Sequence, residues 1–217
     1  MLQTKKTKLF TSVLFLFMFM IWTAAVCLVD RQPIGPDGTR VGFAALNVYV
    51  HRATGVHMFL YELTDVLSIF PVAVMLLNAA AGLLQWIRRR SIRRVDKTVI
   101  CAGILYALLL AVYIFFEIIP VNFRPVLIDG ILETSYPSST TMLVMTVMLC
   151  GILQLHSVLN KSAARYIAGG IMVVFTAFTV MARIISGVHW ITDIIGGILI
   201  ALSLTAWYAC MTDKRAR

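Results

Sequence analysis

The chain has 217 residues, of which 60% are hydrophobic and only 13% charged, with a mean hydropathy of +0.88. Soluble domains are usually about 45–50% apolar, so this composition excludes an ordinary water-soluble fold and points to the bilayer. The net charge of +9 would suit nucleic acid, but the basic residues stand in short clusters between apolar runs, as topology signals do, and no nucleic-acid partner is expected.

The first apolar run, Leu9 to Val29, follows Lys5, Lys6 and Lys8. It is long enough to cross a bilayer and longer than the core of a cleaved signal, so it reads as an uncleaved first span. Asp30 to Arg40, with Pro33, Gly35, Pro36 and Gly38, reads as loop. Val41 to Val56 mixes apolar and polar residues and predicts an amphipathic helix at the interface. A second span runs from Met58 to Trp86, with Glu62 and Asp65 near its start, and ends on Arg88, Arg89, Arg90, Arg93, Arg94 and Lys97.

The third span covers Thr98 to Ile119, and Val121 to Pro137 is a loop. A fourth span is expected over Ser139 to Leu159, a fifth over Tyr166 to Ile185, and a sixth over Trp190 to Met211 after a short turn at Ser186-Gly187-Val188. Gly169-Gly170 and Gly196-Gly197 read as sites of close helix packing. The fold class is therefore all-α, a single six-transmembrane-helix bundle over residues 1–217.

Lysines and arginines set its orientation. One side carries three at the N-terminus, six after span two, Lys161 and Arg165, and Lys214, Arg215 and Arg217, which is 14 of 19. The other carries Arg31, Arg40, Arg52, Arg124 and Arg183. The positive-inside rule makes the first side cytoplasmic and places both termini there. A multi-pass integral membrane protein follows, and its compactness points to a bacterial plasma membrane.

Cys27, Cys101, Cys150 and Cys210 form no C-x-x-C pair, and His51, His57, His156 and His189 lack metal-ligand spacing. No metal and no cofactor are expected. Oligomeric state is not legible in the sequence.

With this topology Glu117, Arg124, Ser138, Ser139, Thr140, Arg183, His189 and Asp193 gather at the outer face. Charges in a bilayer cost at least about 2.5–3.5 kcal/mol near its centre, so such groups usually line a site. A guanidinium is a planar fork suited to phosphate. His189 and Asp193 lie four apart at a helix start, where they would share a face and the carboxylate could fix the imidazole tautomer. Pro137-Ser138-Ser139-Thr140 opens the fourth span, where hydroxyls and free N–H groups form an anion site; ordinary N-capping accounts for the same residues.

In order, these pieces resemble the type-2 phosphatidic-acid phosphatase superfamily, whose pattern is K-x6-R-P, then P-S-G-H, then S-R-x5-H-x3-D on a helical bundle. This chain reads E-x6-R-P from Glu117 to Pro125, P-S-S-T from Pro137 to Thr140, and A-R-x5-H-x3-D from Ala182 to Asp193. The resemblance implies a membrane phosphatase or phosphotransferase acting on a lipid phosphate or pyrophosphate. His189 would become phosphohistidine, Asp193 would orient it, and Arg124, Ser138, Ser139 and Arg183 would hold the phosphate. Three positions depart from the pattern. Glu117 replaces the lysine, Ser139 the glycine, and Thr140 the histidine that protonates the leaving group.

Three readings follow from those departures. The substrate has a leaving group, such as a lipid pyrophosphate, that departs unprotonated. Alternatively, Glu117 supplies the proton or, as a carboxylate, meets a cationic head group. Finally, Glu117 pairs with Arg124 or Arg183, and the chain binds or moves lipid without hydrolysis.

Overall fold

In a bilayer every backbone polar group must be satisfied within the chain, so each apolar run folds as a helix. The computed structural model describes residues 4–158 and 163–213. The described residues form α1 (Lys5–Leu28), α2 (Ala44–Thr54), α3 (Met58–Leu67), α4 (Ile69–Arg89), α5 (Lys97–Ile118), α6 (Ser139–Val158), α7 (Ala163–Ser186) and α8 (Ile191–Met211), with two short 3-10 turns. Six helical stretches are long and apolar enough to cross a membrane, α3 and α4 together making the second. Large apolar side chains such as Phe10, Leu77 and Val174 point away from the protein, as they do where the solvent is lipid.

The expected spans appear within a few residues of their predicted limits. Leu159, Lys161, Lys214, Arg215 and Arg217 lie outside the described residues. The second span is interrupted at Ser68, where α3 gives way to α4. Pro71 explains the break, since its ring would clash with the carbonyl four residues earlier, that of Leu67, and it has no N–H to return.

The first and last helices lie antiparallel along each other. Lys8 pairs with Asp213 at 2.8 Å at one end. In the middle Ser12 and Ser203 each donate a hydroxyl to the other's carbonyl at 3.0 Å, the kind of polar exchange that joins helices in lipid. Trp22 Nε1 donates to the Thr192 carbonyl at 3.0 Å toward the other end. A core of Leu105, Met142, Val144, Met148, Ile200 and Tyr208 fills the space between α5, α6 and α8.

Two glycines permit contacts that any side chain would block. Gly187, at φ +65°, lies against the Gly55 carbonyl, and an added Cβ would sit 1.8 Å from that oxygen. Gly196 lets the Tyr136 ring approach α8, where a Cβ would meet the ring at 2.7 Å. The sequence expectation of close packing therefore holds for Gly196-Gly197. It fails for Gly169-Gly170, which face open space with nothing within 4 Å.

Candidate active site

The polar residues gather at the end of the bundle opposite Lys8 and Asp213, where α5 and α7 finish and α3, α6 and α8 begin. The 121–137 segment crosses this end as a bent hairpin. Asp129 and Gly130 both have positive φ, 50° and 78°, which suits a two-residue type I′ turn. Ile128 and Ile131 exchange backbone hydrogen bonds across it. Farther out, Arg124 N–H donates to the Glu133 carbonyl and Ser135 N–H to that of Asn122. Counting from the turn would place Arg124 opposite Ser135; the two-residue offset falls across Pro125, which has no N–H for a ladder. Arg124 is thereby turned inward beside Glu133, Nε to Oε2 at 2.9 Å.

Arg124 Nη1 lies 3.1 Å from His189 Nε2. A guanidinium only donates, so Nε2 accepts and the neutral imidazole carries its proton on Nδ1. Nδ1 is buried, and no hydrogen bond of ordinary length and angle reaches it. Burial holds the His189 pKa well below its ordinary 6.5, reinforced by the positive charges of Arg124 and Arg183 and opposed by the Ser135 carbonyl. The ring is thus kept neutral, with its free lone pair at Nε2.

Asp193 is placed differently from expectation. His189 lies in the turn before α8, so helical spacing does not bring its side chain to Asp193. The carboxylate caps its own helix instead, accepting the Trp190 N–H at 3.1 Å on one oxygen and Asn122 Nδ2 at 2.9 Å on the other. It joins α8, the 121–137 segment and the turn that carries His189, with no hydrogen bond to the imidazole. The Ser138 N–H donates to the Asp193 carbonyl at 3.0 Å, and the Ser138 hydroxyl to Thr141 Oγ1 at 3.0 Å. Ser138 is fully buried and braces α6 against α8. Ser139 is half-buried and lines the cavity.

Arg183 is 1% exposed. Its Nη2 donates both to Asp65 Oδ1 and to Thr140 Oγ1, while Nε and Nη1 have no partner among the described residues. Buried donors left unpaired are rare in folded proteins and mark places where something else binds. The Tyr61 ring lies under both guanidinium groups, 4.8 Å from Arg183 Cζ and 5.3 Å from Arg124 Cζ, which holds the two cations on one aromatic face.

The Glu117 side chain is paired with neither arginine, contrary to the third sequence reading. It accepts a hydrogen bond from Thr134 Oγ1 at 2.7 Å and lines a cavity of about 410 Å³ with Arg124, Glu133, Ser139 and His189. A second, mainly apolar cleft of about 310 Å³ adjoins it through Tyr113 and Ser139 and runs between α4, α5 and α6.

The structure therefore brings together Arg124, Ser138, Ser139, Thr140, Arg183, His189 and Asp193, with Glu117 at the cavity wall. Asp65, Tyr61, Glu133 and Asn122 were not foreseen as part of this site. A carboxylate in an apolar span was the available signal for Asp65, and Asp129-Gly130 was the signal for the hairpin that brings in Glu133. Neither Tyr61 nor Asn122 carries a local signature. No group of three or more metal-binding side chains occurs among the described residues.

Residues 115–217 match the sequence profile of the PAP2 superfamily. No curated protein matches the chain significantly. The fold is similar to that of a solved transmembrane PAP2-type phosphatidylglycerolphosphate phosphatase from Bacillus subtilis, with a TM-score of 0.61 and 18% identity over 96% of this chain and all of the other. The matched segment, a little under half of the chain, holds all eight of the site positions that the sequence pattern singled out, and over it the chain is similar to the PAP2 superfamily.

Proposed function

We propose that the protein is an integral-membrane lipid phosphatase, or phosphotransferase, working through a phosphohistidine at His189. The observation that carries the reading is the His189 ring, buried, neutral and presenting Nε2 beside Arg124. Nε2 attacks phosphorus, the N–P bond forms, and the bond from phosphorus to the leaving oxygen breaks. Water, or an acceptor hydroxyl, then takes the phosphoryl group and returns His189 to its neutral form. Arg124 and the unpartnered Nε and Nη1 of Arg183 meet the charge that builds on the phosphoryl oxygens, the interaction that usually dominates such catalysis.

Thr140 stands where the family pattern has its proton donor, and its hydroxyl accepts from Arg183. A threonine hydroxyl does not donate a proton near neutral pH, so a leaving group that departs as a stable anion is favoured. Lipid diphosphates meet that requirement better than monoesters. The apolar cleft between α4, α5 and α6 offers the acyl chain a route to the head-group cavity. By the positive-inside rule this end of the bundle faces away from the cytoplasm, with both termini on the cytoplasmic side.

The test is phosphate release by purified protein in detergent over lipid mono- and diphosphates, wild type beside His189→Ala. Release that vanishes with His189, and that is faster for diphosphates, is the expected result. A second reading, lipid binding without hydrolysis, is favoured by one observation. Both arginines are already paired with carboxylates, Arg124 with Glu133 and Arg183 with Asp65. Lipid binding with no release from any substrate would establish it.

A further inference from the structure

The wall of the head-group cavity facing away from His189 is unusual for a phosphate site. The charged residues lining it are Glu117, Glu133 and Arg124. Arg124 is already matched by Glu133 at 2.9 Å, and Arg183, behind the cavity, is matched by Asp65. Glu117 has neutral partners, the Thr134 hydroxyl and the Tyr113 hydroxyl. The lining thus holds one negative charge more than positive before any phosphate enters. A ligand bearing only negative charge would enter against that excess, and field and ligand would have the same sign.

Aromatic rings complete this wall. Tyr113, Phe116 and Tyr136 line the cavity together with Glu117 and Glu133. Phe116 and Tyr136 are locked edge to face at 5.5 Å and buried, while Tyr113 is more open, at 41% exposed. Carboxylates set among aromatic rings provide the surroundings that hold an organic ammonium, through charge and through the ring faces. The donor set does not suit a metal ion equally well, since two carboxylates and a threonine hydroxyl leave a hard cation short of oxygen ligands. Across the cavity, His189 is 5% exposed.

We infer that the ligand is a lipid phosphate whose head group also carries an ammonium, the phosphate lying against Arg124 and His189 and the ammonium against Glu117, Glu133 and Tyr113. This rests on the reading of the site as a lipid-phosphate site, and it narrows the bound head groups to those that carry an aminoalkyl group beside the phosphate or diphosphate.

The experiment compares binding of dihexanoyl phosphatidylethanolamine, phosphatidylglycerol and phosphatidate to the full chain in detergent, with and without a chelator. The ethanolamine lipid is expected to bind wild type at least about fivefold more tightly than the other two. Glu117→Gln should erase that preference, and Glu117→Lys should reverse it. Glu117 is exposed at the end of α5, so both variants should fold, and the unchanged melting temperature is the control. Equal or weaker binding of the ethanolamine lipid to wild type would overturn the inference, as would a preference that survives Glu117→Gln or vanishes with the chelator. Turnover is read in parallel. Preference without turnover upholds the ammonium site and removes the phosphatase; turnover without preference does the reverse.

Discussion

Arg183 Nη2 is divided between Asp65 Oδ1 and Thr140 Oγ1, so one guanidinium nitrogen ties α7 to both α3 and α6. Asp65 is half-exposed while Arg183 is almost wholly buried. The carboxylate therefore does two things: it neutralises a buried cation and competes with any phosphate for it. Removing one partner of a buried pair costs about 3–5 kcal/mol, and the exposure of Asp65 reduces this to about 1–2 kcal/mol. Asp65→Asn should lower the melting temperature in detergent. Added inorganic phosphate should then raise it by more than it does in wild type, because the anion replaces the lost charge.

Thr140→His should restore a proton donor at the start of α6. Turnover of lipid monophosphates, whose alkoxide leaving group needs a proton, should rise toward the roughly 10²–10⁴-fold that general acids supply. Diphosphate turnover should change far less. The ratio of the two rates, measured on one preparation, checks the prediction. A uniform change in both would show that position 140 acts through Arg183 alone.

Asp193→Asn should destabilise the fold and slow turnover together. Its two oxygens face two donors, Trp190 N–H and Asn122 Nδ2, and an amide necessarily turns a donor toward one of them. Leaving such a group unsatisfied costs about 1–3 kcal/mol. The turn carrying His189 loses its anchor, so kcat should fall although Asp193 does not touch the imidazole. Asn122→Ala should produce a smaller loss of the same kind, seen in parallel melting and rate measurements.

The depressed pKa of His189 gives a defined pH dependence. Below the ordinary value of 6.5 the unfolded chain takes up a proton that the folded protein refuses, so stability rises with pH through that window. The contribution is fully present above 6.5 and is lost as pH falls, by about 1.4 kcal/mol for each unit between the two pKa values until the folded value is reached. His189→Gln should flatten this part of the melting profile. In wild type, the acid limb of kcat/KM assigned to the nucleophile should lie below the ordinary histidine range.

Much of this architecture was legible because the bilayer restricts the chain to helices of a set length. The six spans, the turn at Gly187, and the convergence of Arg124, Arg183 and His189 at one end all follow from apolar run length and the placement of charge. What was hidden depended on distance or on local backbone detail. Asp65 meets Arg183 from 118 positions away, and Glu133 reaches Arg124 only through an offset that Pro125 imposes. Asp193 was read through helical spacing, but His189 lies outside the helix, so the carboxylate serves the turn rather than the ring. Gly169-Gly170 shares the composition of a packing motif but meets no neighbour, because α7 turns that face outward.

The antiparallel pairing of α1 with α8 has a consequence for how the protein comes into being. α8 leaves the ribosome long after α1 and must find it across almost two hundred residues of chain. Until it does, Asn122 and the Ser138 N–H have no Asp193 to bond. Every earlier stage of insertion therefore leaves these polar groups without that partner at the end of the bundle, and a chain cut short after α7 would keep them so. Completion of the candidate site and closure of the bundle are the same event, so quality control that senses unpaired polar groups would also, in effect, be checking that the site is assembled.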